Sequence, residues 1–92
     1  MTINKREFMV RAQLEDKTLE AWIREEWLIP AEAAGEITFS DADVARVQLI
    51  RDLVNDLGVN DEGVGVILNL VDQVYGLRRV MTELLRSMHN RA

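Results

Sequence analysis

Ninety-two residues, 48% of them apolar and only 5% aromatic, suffice for one aliphatic core but not for a core plus a deep substrate cavity. With no cysteine the sequence offers neither disulfides nor thiolate chemistry, and no apolar run approaches the length of a bilayer span. Sixteen acidic against eleven basic residues leave a net charge of −5, the wrong sign for a chain whose main partner is nucleic acid.

The charge is also uneven. Residues 1–28 hold five basic and six acidic side chains, 29–60 two and six, and 61–92 four and four, so the deficit lies in the middle third. An acidic middle suits a basic protein partner, and a solvated surface is the plain alternative. Residues 1–8 are polar and charged, unlike a signal peptide, so a cytoplasmic location is expected.

Along the chain, Ile3 is placed to start a short strand. Asn4, followed three residues later by Glu7, forms a cap and capping-box pair for a first helix from 5 to about 12, with Phe8, Met9 and Ala12 inward. Leu14, Glu15 and Asp16 make a break with capping character. A second helix over about 17–26 puts Leu19, Trp22, Ile23 and Trp27 on its apolar side, so 1–28 reads as a helix-turn-helix unit closed by Leu28, Ile29 and Pro30.

Residues 30–36 contain the only proline, three alanines and Gly35 and read as a loop leading into a short edge strand at 37–39, where Ile37, Thr38 and Phe39 favour extended backbone. Together they make a small wing, 29–40. Ser40 is the N-cap of a third helix, 41–57, with Asp43 completing a weak capping box and Asp41 and Asp43 facing the positive end of the helix dipole. Val44, Val47, Ile50, Leu53, Val54 and Leu57 recur at spacings of three and four, which predicts one buried face, with Arg46, Arg51, Asp52 and Asp56 mostly elsewhere. Gly58 suits a left-handed stop and Val59 a Schellman-type return.

Asn60 caps a long final helix, 60–89, with Asp61 and Glu62 in its first turn. Val64, Ile67, Val71, Val74, Met81, Leu85 and Met88 follow a heptad-like seam interrupted by Arg78 and widened by Leu68 and Tyr75. Val66, Leu70, Leu77, Val80 and Leu84 lie to another side. So much apolar circumference asks for two neighbours, its own domain and a second molecule. Homodimerisation through Val74, Leu77, Met81, Leu84, Leu85 and Met88 is the simplest supply of the second. Gly63, Gly65 and Gly76 each lower helix propensity by up to about 1 kcal/mol relative to alanine, which leaves a straight helix and one bent at Gly76 both open.

Little in the chain points to catalysis. His89, the sole histidine, has no spacing relation to a nucleophile or to other metal ligands, and Asp41 and Asp43 are explained by capping. The glycines of DEGVGV lack the third glycine and preceding strand of a dinucleotide fingerprint. A non-enzymatic protein without cofactor or metal is expected.

The order helix, turn, helix, wing, Ser-Asp-x-Asp cap, helix, Leu-Gly stop and polar cap resembles the MerR-like DNA-binding domain over residues 3 to about 70. KTLEAWIREEWLIP stands where that family has its recognition helix, and ITFSDADVARVQLIRDLVNDLG matches its wing return and third helix. The fold class expected is therefore mainly α: one MerR-like winged helix-turn-helix domain, 1–92, with a short β-wing and a long C-terminal helix. MerR-like regulators engage phosphates with basic and tyrosine side chains on the second helix. Here that run carries Glu20, Ala21, Trp22, Glu25 and Glu26, with Lys17 and Arg24 its only cations.

Through LGVNDEGVGVILNLVDQVYGLRRVMTELL the chain resembles the chaperone-modulator proteins, CbpM and relatives, at Gly63, Val64, Val66, Leu68, Leu70, Val71, Asp72, Val74, Leu77 and Leu84. This resemblance implies binding to the J-domain of a DnaJ-type co-chaperone such as CbpA and inhibition of its stimulation of DnaK. J-domains generally present a basic second helix, so the acidic set Glu20, Glu25, Glu26, Glu32, Glu36, Asp41, Asp43, Asp52 and Asp56 is the candidate partner surface, with Trp22 and Trp27 as candidate apolar anchors or core residues. Two other readings stand beside it: a MerR-family DNA-binding transcriptional regulator and a purely structural dimerisation module.

Overall fold

The computed structural model describes residues 2–90. It is mainly helical, as expected. Strand β1 (Thr2–Asn4) leads into α1 (Lys5–Ala12) and α2 (Asp16–Arg24). The wing follows as β2 (Ala31–Ala33) and β3 (Glu36–Ser40), and then come α3 (Asp41–Arg51), a π-helical turn (Asp52–Asp56) and α4 (Asp61–Asn90).

Asn4 caps α1 as expected, its Oδ1 accepting from the Glu7 N–H at 2.8 Å. Both helices of the helix-turn-helix unit then stop in the same way, without glycine. Gln13 (φ +51) and Glu26 (φ +62) take the left-handed conformation, while the Leu14 and Trp27 N–H groups donate five residues back to the Met9 and Trp22 carbonyls. These are Schellman closures, and the second brings its hydrophobic pair together as Trp22 and Trp27, with ring centroids 6.1 Å apart. Helix α2 therefore ends at Arg24 rather than at 26, and it starts at Asp16. Glu15, its N-cap, makes no side-chain capping bond, so the capping character expected of this break is confined to the backbone.

The predicted edge strand is the central one. Sheet order is β1-β3-β2, all antiparallel, with Ile3 opposite Phe39 on one side and Glu32 opposite Ile37 on the other. Residues 31–33, expected in a loop, are paired because β3 offers them a ladder; their own β propensity is low. Ala34 (φ +53) and Gly35 (φ +80) join β2 to β3 in a two-residue turn with both central residues left-handed, the twist that hairpins favour.

Ser40 and Asp43 form a complete capping box: Asp43 Oδ2 accepts from the Ser40 N–H at 2.9 Å, and Ser40 Oγ accepts from the Asp43 N–H at 3.3 Å. The far end of the third helix departs from expectation. The Leu57 N–H donates to the Asp52 carbonyl five residues back and the Val59 N–H to the Leu53 carbonyl six back, so the last turn is widened before Gly58 (φ +64) stops it. The wider turn rotates Val54 and Leu57 off the buried face; Leu57 is 70% exposed.

Two apolar clusters result. One joins Ile3, Phe8, Ala12, Leu14, Leu19, Leu28, Phe39 and Val47, with the Phe8 and Phe39 rings stacked at 4.0 Å. The other joins Trp27, Ile50, Leu53, Val64 and Leu68, and Trp22 packs against both. Each fully buried aliphatic or aromatic side chain contributes about 1.5–3 kcal/mol relative to exposure. Of the two, the second cluster is the one that takes in α4, through Val64, Ile67 and Leu68 in the first two turns of that helix.

Candidate protein-interaction surface

The structure separates the nine carboxylates proposed from sequence into two groups. Asp41, Asp43 and Asp52 have structural partners. Asp41 pairs with Arg11 at 3.1 Å, Asp43 is spent in the capping box, and Asp52 accepts from Gln48 Nε2 at 2.9 Å. Glu20, Glu25, Glu26, Glu32, Glu36 and Asp56 are exposed and have no side-chain hydrogen bond or ion pair among the described residues.

Nor do these six share one face. Glu25 and Glu26 lie beyond the end of α2, in its Schellman turn, rather than along the helix. In the wing, Glu32 is opposite Ile37 and Ala33 opposite Glu36; since alternate residues of a strand point to opposite faces, Glu32 and Glu36 diverge. Both tryptophans are core: Trp27 is only 6% exposed, and Trp22 is half-buried between the two clusters.

Two arginines assigned to the polar side of the third helix turn inward. Arg46 donates from Nε to the Trp27 carbonyl at 2.6 Å and from both terminal nitrogens to Asp72, at 2.6 and 3.2 Å, tying the turn after α2, helix α3 and helix α4 to one another. Arg51 donates to the Ala12 and Gln13 carbonyls, completing the end of α1. Their sequence positions carried a signal: Arg46 falls four and seven residues before Ile50 and Leu53, and Arg51 four after Val47, so each lies on the apolar face.

Beyond this tether α4 leaves the domain. Val64 and Leu68 are buried and Ile67 and Val71 half-buried, but the six residues assigned to dimerisation, Val74, Leu77, Met81, Leu84, Leu85 and Met88, are all exposed. With Leu70, five of them form an unbroken four-three seam, 70, 74, 77, 81, 84 and 88, which Arg78 does not interrupt.

Among the described residues no group of three or more His, Cys, Asp or Glu side chains is arranged to hold a metal ion, and no helix is long and apolar enough to cross a membrane. Comparison with curated proteins finds no match. A capped two-helix unit, an antiparallel wing, a third helix and a long fourth are nonetheless a specific order, and the model for MerR HTH family regulatory proteins matches residues 3–86, almost all of it: the chain belongs to the MerR helix-turn-helix family of regulatory proteins.

Proposed function

We propose that this MerR-family chain is a non-enzymatic chaperone modulator of the CbpM type, which binds the J-domain of a DnaJ-type co-chaperone and prevents it from stimulating DnaK. One observation carries the reading. From Glu25 to Ala45, through the end of α2, the wing and the start of α3, there is no cation, while Glu25, Glu26, Glu32, Glu36, Asp41 and Asp43 are all acidic. In a winged helix-turn-helix these are the parts that would approach a duplex, and carboxylates there are repelled by phosphate. The same charge steers a basic protein helix inward and speeds its association.

The chain acts as a homodimer in this reading, joined through Val74, Leu77, Met81, Leu84, Leu85 and Met88, which would otherwise leave the distal half of α4 wetted on its apolar side. Calorimetry against a purified J-domain from the same genome, at low and high salt, with duplex DNA in a parallel experiment, tests the function. J-domain binding that weakens with salt, without a DNA signal, is the expected result. DNA binding that falls steeply with salt, with no J-domain signal, would instead make the protein a transcriptional regulator.

A further inference from the structure

An open groove of about 540 Å³ runs where the turn after α2 meets the first turns of α4. Its α4 side is a single helical stripe, Glu62, Gly65, Val66, Asn69 and Leu70, spaced three and four apart. Val66 and Leu70 are 59% and 54% exposed although they flank the buried Val64 and Leu68. Glu25 stands on the opposite rim and Asp61 at the end, so an apolar floor is edged by three carboxylates and, among its lining residues, no cation.

Trp27 forms the bottom. It is the most buried lining residue, yet its indole N–H finds no acceptor among the described residues, and Nε1 lies 3.9 Å from the position a β-carbon would take at Gly65. The ring is buried but its Nε1 is not among the buried polar atoms that lack a partner, so the N–H reaches the groove surface, where a ligand's acceptor can meet it. Gly65, without a side chain, keeps the way to it clear.

We propose that this groove seats an amphipathic helix whose apolar ridge is flanked by lysine or arginine, and, resting on the J-domain reading above, that the helix is the basic one of the J-domain. A ridge laid along the Val66 and Leu70 stripe buries the exposed aliphatics, the missing side chain at Gly65 lets it approach closely, and Glu25, Asp61 and Glu62 meet its cations. A polar side chain on that helix accepts from Trp27. The acidic residues of the wing then act in steering, while the groove holds.

Two variants test the assignment. Gly65→Leu places a side chain in the groove at a position where a β-carbon meets Trp27 at an ordinary distance, and it raises helix propensity. Glu25→Lys reverses an exposed rim charge. Both are titrated with the J-domain by calorimetry, with melting and sedimentation of the free protein as controls.

The expected result is that Gly65→Leu weakens binding by roughly tenfold or more, as blocking a central anchor does, and that Glu25→Lys weakens it less and flattens its salt dependence. Equal J-domain binding by wild type and both variants would overturn the groove while leaving the modulator reading intact. Absence of binding by the wild type would overturn the reading and the assignment together. A changed sedimenting mass for Gly65→Leu alone would mean that a second copy of the chain fills the groove, and would overturn the proposal.

Discussion

The two halves of α4 have similar apolar content and opposite fates. Residues 61–72 bury Val64 and Leu68 against Trp27, Ile50 and Leu53 and are tied down by Arg46 at Asp72. Residues 73–90 present Val74, Leu77, Val80, Met81, Leu84, Leu85 and Met88 to solvent. The same helical periodicity is thus core in one half and exposed in the other. A hydrophobic stripe specifies that something must cover it, and the rest of the fold decides what.

The largest effect expected is from Leu68→Ala, which removes a side chain wholly within the anchored half. It should cost about 2–5 kcal/mol in urea unfolding, as leucine truncations in packed cores do. Leu84→Ala, in the free half, should change the stability of the dilute protein by no more than about 0.5 kcal/mol. If the Leu84 variant is instead destabilised by an amount that grows with protein concentration, the distal stripe is already buried in a dimer, and the contrast between the halves lies in which chain covers each.

Arg46→Met sharpens the boundary between them. It removes a paired, mostly buried guanidinium and leaves Asp72 and the Trp27 carbonyl without their donor, for an expected loss of about 1–3 kcal/mol. Amide exchange should quicken in residues 61–72 while β1 and β3 stay protected. Uniform loss of protection across the chain would show that the tether supports the whole fold.

Within the anchored region, Ser40→Ala breaks the capping box and should lower the melting midpoint by an amount equivalent to about 1 kcal/mol. The smallest effect runs the other way. Glu26→Gly relieves a left-handed side-chain-bearing residue and should stabilise by about 1 kcal/mol or less, and a thermal melt that shifts downward would contradict the strain assigned there.

Much of the fold was legible because its signals are local. Asn4, Ser40, Gly58 and Asn60 mark boundaries through backbone groups one turn away, and each acts where expected. What escaped had no local marker. Gln13 and Glu26 close helices at left-handed positions where glycine is the usual sign, and β2 is built from alanines that pair only because β3 lies beside them. The π turn at 52–56 altered the face presented by Val54 and Leu57.

The candidate surface was less legible than the fold. Charge along the sequence singled out the acidic middle, yet charge alone does not say that Glu32 and Glu36 point apart or that Asp41, Asp43 and Asp52 are occupied by neighbours. Glu25 was in the expected set, whereas its companions on the groove, Asp61 and Glu62, had been accounted for by the α4 dipole.

By itself, then, the sequence determined the helical class, the capped ends and the surplus of apolar surface on α4, because capping and periodicity act within a turn or two of the chain. Only the tertiary structure decided which part of that surface is core, which carboxylates remain unpaired and where Trp27 leaves its N–H open. Those depend on residues such as Arg46 and Asp72, 26 positions apart, meeting across elements that no local pattern brings together.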